Sequence, residues 1–272
     1  MRLNRIKEWE ELTIQDNFLF QKVMQNKRIC KYLIEKILHI SIKEITFPDA
    51  EKNISIRYDS KSVRLDVYVE DDNGRVFDIE MQCTNSNDLE LPKRTRYYQG
   101  MIDMALLEKG RDYDELNPSF VIFICTFDPF HKGLPIYTFR NKCVEDNSLE
   151  LYDETTKLFL NSKGRSREID PDIAAFLRYV DGKSAEGAFT QTVEEEVLRI
   201  KKHDETRREY MTLAMELKRQ QRIGEQIGEQ EEKRRTIFNL AGMHMSIEFI
   251  AKATESSPEF VKNTLKEAQS SH

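Results

Sequence analysis

Arg64-Leu65-Asp66-Val67-Tyr68-Val69-Glu70-Asp71-Asp72-Asn73-Gly74-Arg75-Val76-Phe77-Asp78-Ile79-Glu80-Met81-Gln82 reads as two alternating runs joined at Asn73-Gly74. Asn-Gly between alternating apolar runs signals a hairpin, because both residues tolerate the positive φ that tight turns need. Register decides which side chains share a face, since a slip of one residue turns every side chain over. A two-residue turn pairs Asp72 with Arg75 and Asp66 with Met81, mixing charged and apolar groups on both faces. A three-residue loop, Asp72-Asn73-Gly74 with Gly74 left-handed in a bulge, pairs Asp71 with Arg75, Val69 with Phe77, Val67 with Ile79 and Leu65 with Met81. One face is then uniformly apolar. The other carries Tyr68 opposite Asp78 and Asp66 opposite Glu80, with Gln82 one step further. This second register is the expected one.

Directly opposed carboxylates cost roughly 0.2–1 kcal/mol in an antiparallel pair, and a helix packed over them raises the penalty. A hard divalent cation between Asp66 and Glu80 removes it, and Mg²⁺ is typically held by one or two carboxylates plus water and phosphate oxygens. A solvated polar sheet face with screened repulsion fits the same pattern, so the residues alone leave both readings open.

Outward from the hairpin, residues 16–40 read as helical, with Phe18, Phe20, Val23 and Met24 followed by Ile29, Leu33, Ile34, Ile37 and Leu38 at three- and four-residue steps. Period two begins at about residue 52 with Ile54 and Ile56 and continues through Val63 to the end of the hairpin. Pro92 opens a second helical pattern running to about Glu108. Ser119–Thr126, bounded by Pro118 and Pro129, is a continuous apolar run, as in a strand covered on both faces. A further strand is expected at Leu134–Phe139 and a closing helix at Ile173–Val180. The order of helix, three strands, helix and strand indicates an α/β domain with a mixed sheet.

Composition changes after about residue 190. Residues 194–235 hold 11 acidic and 11 basic side chains and few large apolar ones, the pattern of a solvated helix laced with i,i+4 ion pairs. Residues 236–268 regain amphipathic spacing, with Ile237, Leu240 and Met243, then Ile247 and Ile250, then Phe260, Val261 and Leu265, interrupted at Ser256-Ser257-Pro258. The expected organisation is a catalytic domain over 1–190, a charged helical linker over 191–235 and a small all-α module over 236–272. That module has the length of a helix-turn-helix, but its last helix offers only Lys262 and Lys266, so helical docking fits equally well.

The chain has 272 residues and a net charge of −6, so it lacks the strongly basic footprint usual in nucleic-acid binders, although a local basic cleft remains compatible with that sum. No apolar run is long enough to cross a bilayer. The basic start, Met1 to Lys7, leads into Glu8-Trp9-Glu10-Glu11 rather than an apolar leader, so neither membrane insertion nor a signal peptide is expected. Cys30, Cys83, Cys125 and Cys143 lie far apart and read as reduced thiols, which points to a cytoplasmic location.

Asp66, followed by Glu80-x-Gln82 across a hairpin, resembles the PD-(D/E)XK nuclease signature. The wider resemblance is to the recombination-promoting nuclease (Rpn) family of transposase-like proteins. It rests on Asp16-Asn-Phe18-Leu-Phe20, Arg64-x-Asp66-Val-Tyr68, Asp78-Ile-Glu80-Met-Gln82, Leu91-Pro-Lys93-Arg94-x-Arg96-Tyr97-Tyr98 and Phe127-Asp128-Pro-Phe130. It implies an αβββαβ restriction-endonuclease-like core with an all-α C-terminal extension. It also implies phosphodiester hydrolysis of DNA dependent on Mg²⁺ or Mn²⁺, in recombination, mobile-element biology or defence against foreign DNA. Asp66 and Glu80 would then ligate the metal, with Gln82 beside them as the third catalytic residue. Asp16 would add an outer-shell carboxylate or simply cap its helix. Gln82 stands where the superfamily has lysine, and an amide can orient water but cannot act as a base. Lys93, Arg94 and Arg96 would grip phosphates or form an ordinary solvated helix start. Homodimerisation through the C-terminal helices is the expected assembly. The competing readings are a catalytically decayed scaffold, which needs no opposed carboxylates, and a DNA-binding regulator, which needs a basic recognition helix.

Overall fold

In the computed structural model, which describes residues 5–48, 53–54, 63–84, 90–107, 110–165 and 169–269, the stretch 16–40 forms two helices, α1 (Asn17–Met24) and α2 (Lys27–Leu38). Asn26 separates them, because its side-chain oxygen accepts from the N–H groups of Arg28 and Ile29 and so caps a new helix. α2 stops at His39, whose φ of 54° places it in the left-handed region typical of a helix end.

The strands follow as β1 (Ile45–Thr46), β2 (Asn53–Ile54), β3 (Val63–Arg64), β4 (Val67–Asp71) and β5 (Val76–Gln82). Helix α3 (Glu90–Leu106) leads to β6 (Ser119–Cys125), β7 (Ile136–Phe139) and β8 (Thr155–Asn161). Helices α4 (Pro171–Val180) and α5 (Ala188–Lys201) come next. Ile56 and Glu108, which the sequence placed at a strand and at a helix end, lie outside the described residues.

Six strands form one mixed sheet in the order β1-β4-β5-β6-β8-β7, and β2 and β3 pair separately. β5, β6 and β8 run parallel, and the remaining neighbours are antiparallel. The α/β class and the mixed sheet are therefore as expected, and β6 is central, as its continuous apolar run required. β8 was not anticipated.

The expected register is present. Val67 faces Ile79, Tyr68 faces Asp78 and Val69 faces Phe77. The Asp71 N–H donates to the Arg75 carbonyl and the Gly74 N–H to the Asp71 carbonyl, with Gly74 at φ 74°. One sheet face is apolar and buried, with Val69, Phe77 and Ile79 wholly inaccessible, as are Leu19, Phe20, Leu33, Ile34 and Phe176 on α1, α2 and α4. The other face packs under α3 in a second core of Tyr68, Val76, Leu91, Ile102, Val121, Phe123 and Phe159. A fully buried Phe or Ile side chain contributes about 1.5–3 kcal/mol, so this cover is firmly held. It also means that the face carrying Asp78 and Glu80 is not a solvated one.

The chain divides into two compact units, Lys7–Arg207 and a helical unit that begins at Arg208. The first includes α5, which buries Phe189, Val193, Val197 and Ile200 within an otherwise charged sequence. The long helix α6 (Asp204–Gly242) is largely solvated over 216–235, with Arg219 and Gln220 both bonded to Glu216. α7 (Ile247–Ala253) and α8 (Pro258–Gln269) pack with the end of α6 around Ile237, Ile250, Ala251 and Val261. The expected break falls between them, where Ser257 accepts from the Phe260 N–H at the start of α8. Among the described residues no helix is long and apolar enough to cross a membrane, and all four cysteines are free thiols.

Candidate active site

The hairpin that sets the register also assembles the acidic site. β4 begins at Val67, and just before it Asp66 leaves the backbone ladder. Side chains take over the next rung. The Asp66 N–H donates to Glu80 Oε1 at 2.7 Å, and the Met81 N–H donates to Asp66 Oδ2 at 3.2 Å. The two carboxylates are thus locked to each other's strand, and both side chains are held at the open end of the hairpin. Gln21 on α1 completes the clamp, its Nε2 donating to Asp66 Oδ1 at 2.8 Å.

Glu80 is 3% exposed and Asp78, two residues earlier on the same face, is wholly buried. Burial, then the neighbouring Asp66, pushes the Glu80 carboxyl up to about 8, against the opposing pull of the Asp66 N–H and Arg94. Burial, then Glu80 and Asp66, holds Asp78 well above the usual carboxylate range. No backbone amide donates to either oxygen of Asp78 among the described residues. The Arg94 guanidinium, whose Nη2 is 3.8 Å from Glu80 Oε2, opposes the rise in both Asp78 and Glu80.

Arg94 enters from the first turns of α3. Its Nη1 donates to Gln82 Oε1 at 2.8 Å and its Nη2 to the Tyr98 hydroxyl at 3.0 Å. The guanidinium lies over the rings of Tyr98 and Phe123, 5.4 Å from each centroid, a contact that fixes its plane. Gln82 is held at both ends, because its Nε2 also donates to the Thr84 carbonyl.

Asp66, Glu80, Gln82 and Arg94 are thus brought together. Lys93 and Arg96 are exposed on the outer side of α3 and are not bonded into this cluster. Asp16 is directed elsewhere, its carboxylate ion-paired with Lys7 at 2.7 Å and accepting from the Thr13 N–H at 2.8 Å. It makes no side-chain cap to α1. The position beside Asp66 expected for an α1 side chain belongs instead to Gln21, one turn further along. Tyr98 joins the cluster, whereas Gln99 binds Asp103 on the same helix and Ser119 at the start of β6. Gln21 and Asp78 were missed by sequence reasoning. The available signal for Asp78 was its place in the Asp-x-Glu-x-Gln alternation. For Gln21 it was a polar residue between Phe20 and Val23 on a short apolar helix.

Among the described residues no three His, Cys, Asp or Glu side chains form a ready-made metal cage. The donors at the hairpin mouth are the two carboxylates of Asp66 and Glu80, hard oxygens without a nitrogen or sulfur ligand. That set suits Mg²⁺ or Mn²⁺ completed by water and phosphate oxygens, and does not suit zinc.

No curated protein and no solved structure matches the chain. The family model described as PD-(D/E)XK nuclease family transposase matches residues 17–171. That span runs from the first residue of α1 into α4 and contains every residue of the carboxylate cluster. With more than half of its length matched, the chain belongs to the PD-(D/E)XK nuclease family transposases.

Proposed function

We propose that the chain is a DNA endonuclease that uses Mg²⁺ or Mn²⁺ to hydrolyse phosphodiester bonds, with Asp66 and Glu80 holding the metal. The observation that carries this reading is the interlocked pair at the hairpin mouth, where Asp66 and Glu80 each accept the other strand's N–H and Glu80 is buried with its carboxyl raised by burial and by Asp66. Leaving buried charge uncompensated is strongly unfavourable, and a divalent cation shared by two carboxylates restores the balance. When bound, such a cation acidifies a water and offsets charge on the phosphorus transition state.

The remaining chemistry falls to the chain's own groups. Hydrolysis forms a bond from a water oxygen to phosphorus and breaks the bond to the leaving strand, whose oxygen takes up a proton. Gln82 cannot take the proton from the water, and its amide is already engaged by Arg94 and Thr84. Its part is to hold Arg94 in place. Arg94, fixed on Tyr98 and Phe123, supplies next to Glu80 the positive charge that lysine provides elsewhere in the superfamily, with N–H groups left to donate to a phosphate oxygen. Lys93 and Arg96 serve the flanking backbone. We further propose that the C-terminal helices pair two copies, so that two sites cut two strands. The exposed Met211, Met215, Leu217 and Ile227 along α6 support this assembly. Free thiols support a reducing, cytoplasmic setting, and the transposase-like family supports a role in recombination, mobile elements or defence against foreign DNA.

Cleavage of supercoiled plasmid with Mg²⁺ or Mn²⁺ tests the reading. Wild type is expected to nick or linearise the DNA, and both Asp66→Ala and EDTA to abolish cutting. An inert wild type, or an Asp66→Ala variant that cuts equally well, would leave a non-catalytic scaffold as the better account.

A further inference from the structure

The carboxyl ends of the parallel strands β5, β6 and β8 share one edge of the sheet, at the level set by the register partners Gln82, Cys125 and Asn161. Two loops leave from that edge beside the carboxylate cluster, 126–135 after β6 and 162–165 after β8. The Thr126 N–H donates to the Gln82 carbonyl at 3.1 Å, and the Ser162 N–H to the Cys125 carbonyl at 3.0 Å. The loops are also tied to each other. The Arg165 N–H donates to the Gly133 carbonyl at 3.0 Å, and Asn161 Nδ2 to the Leu134 carbonyl at 2.9 Å. Gly164 passes so close to Pro135 that a Cβ there would overlap the proline backbone. Together they form one bonded shelf.

The shelf is basic. Asp128 is the one acid in its two segments, and its oxygens are taken by the N–H groups of Phe130, His131 and Gly133 and by the Tyr137 hydroxyl. Lys163 is paired with Asp181. Lys132 and Arg165 are exposed, and among the described residues neither side chain is ion-paired or hydrogen-bonded. Their backbones are fixed, the Lys132 N–H by the Tyr137 hydroxyl at 3.3 Å and the Arg165 N–H by Gly133. The opposite edge of the same sheet has the reverse sign, with Asp112, Asp114, Glu115, Glu145, Asp146 and Asp153 in the connections that lead into β6 and β8. The net charge of −6 thus conceals a polarised unit, and such polarity draws a polyanion to the mouth edge and away from the other. Neighbouring strands lie about 4.8 Å apart, so two steps from β5 to β8 put the shelf roughly 10 Å from Gln82, about three nucleotides of a strand at about 3.4 Å rise each.

We propose that this shelf carries the DNA backbone beyond the cleaved phosphate, with Lys132 and Arg165 each meeting one phosphate, the first as a point charge and the second as a planar fork. Such contacts hold position and carry no sequence preference. The proposal rests on the nuclease reading for its substrate, but its test needs no cutting. The full chain in EDTA is titrated into a fluorescently labelled mixed-sequence DNA duplex across a range of salt, as wild type, Lys132→Gln, Arg165→Gln and the double variant. Lys142→Gln is the control, an exposed lysine in the connection between β7 and β8 at the acidic edge.

Each single variant is expected to weaken binding by about tenfold, equally for unrelated sequences, and to lower the slope of log K against log salt by about one, and the double variant by about two. Lys142→Gln should bind within about twofold of wild type. All four variants should melt as wild type does, because the substituted side chains are exposed. Wild-type affinity and slope in the double variant overturns the proposal. So does absence of DNA binding by wild type, or an equal loss in Lys142→Gln. Plasmid cleavage separates the shelf from the nuclease reading. A wild type that binds through Lys132 and Arg165 yet never nicks plasmid refutes the nuclease reading and leaves the shelf standing. A double variant that nicks as fast as wild type at limiting protein refutes the shelf and leaves the nuclease reading standing.

Discussion

The two ends of one hairpin treat buried carboxylates in opposite ways. At the turn, the Asp71 carboxylate is fully inaccessible and fully served, accepting from the N–H groups of Asn73 and Arg75 at 3.0 and 2.9 Å and from Arg75 Nε at 2.6 Å. At the open end, Asp78 and Glu80 are as deeply buried, and beside Asp66 they meet the Arg94 guanidinium at 3.8 Å from Glu80 and, for Glu80, the Asp66 N–H. The first arrangement gives both oxygens of the buried carboxylate partners within the fold. The second stores like charges side by side, where burial and mutual repulsion raise the Asp78 and Glu80 carboxyls above their ordinary range. A charge that folding needs is satisfied within the fold. A charge left unbalanced in a core is expected to meet something that arrives later.

Substitutions at the two ends should therefore separate stability from activity. Asp66→Ala or Glu80→Gln is expected to lower metal-dependent cleavage by about 10³-fold or more, the scale of losing a principal electrostatic contributor. The same changes should leave the melting temperature unchanged or raised, because they remove buried repulsion. Asp71→Ala should do the reverse, costing about 2–3 kcal/mol of stability in denaturant titration through loss of charged hydrogen bonds, with cleavage per folded molecule retained. If Glu80→Gln destabilises as Asp71→Ala does, the contrast fails.

Arg94 is the next lever. Arg94→Gln should lower cleavage by about 10²-fold. Arg94→Lys should recover only part of that loss, since an ammonium cannot reach Glu80, Gln82 and Tyr98 at once. A smaller split is expected on α1. Gln21→Ala should lower cleavage by about 10-fold through disorder of Asp66, whereas Asp16→Ala should cost about 1 kcal/mol of stability and leave the rate alone. Equal rates for wild type and Gln21→Ala would mean that the clamp on Asp66 is not needed.

The smallest effect concerns Asp128, another well-served acid. Partial burial alone would raise it. The Tyr137 hydroxyl and the N–H groups of Gly133, Phe130 and His131 nevertheless hold it below the usual carboxylate range. A depressed folded value contributes stability above the unfolded pKa and loses it as pH falls through the folded one. Melting temperature should therefore decline from about pH 4 downward, and Asp128→Asn should flatten that limb.

The hairpin was legible because turn chemistry and alternation agree, and only one register keeps Val69, Phe77 and Ile79 on one face. β6 was legible from its unbroken apolar run. β8 was not, since Lys157 and the threonines before it dilute a strand that pairing with β6 and β7 makes an interior one. α5 was hidden in the same way, its buried stripe of Val193, Val197 and Ile200 being narrow among charges. In the site, Asp66 and Glu80 followed from the register. The contact of Gln21 with Asp66 spans 45 residues of sequence and depends on how α1 meets the sheet, which no local pattern encodes. The burial of Asp78 depends likewise on α3 closing over its face.

The most direct test of the charge-imbalance account is calorimetric titration of Mn²⁺ into the metal-free full chain, for wild type and Glu80→Gln. Wild type is predicted to bind Mn²⁺ with the uptake accompanied by proton release, and Glu80→Gln to lose that binding while remaining folded. Equal Mn²⁺ binding by both, or none by wild type, would contradict the claim that the hairpin mouth is a cation site.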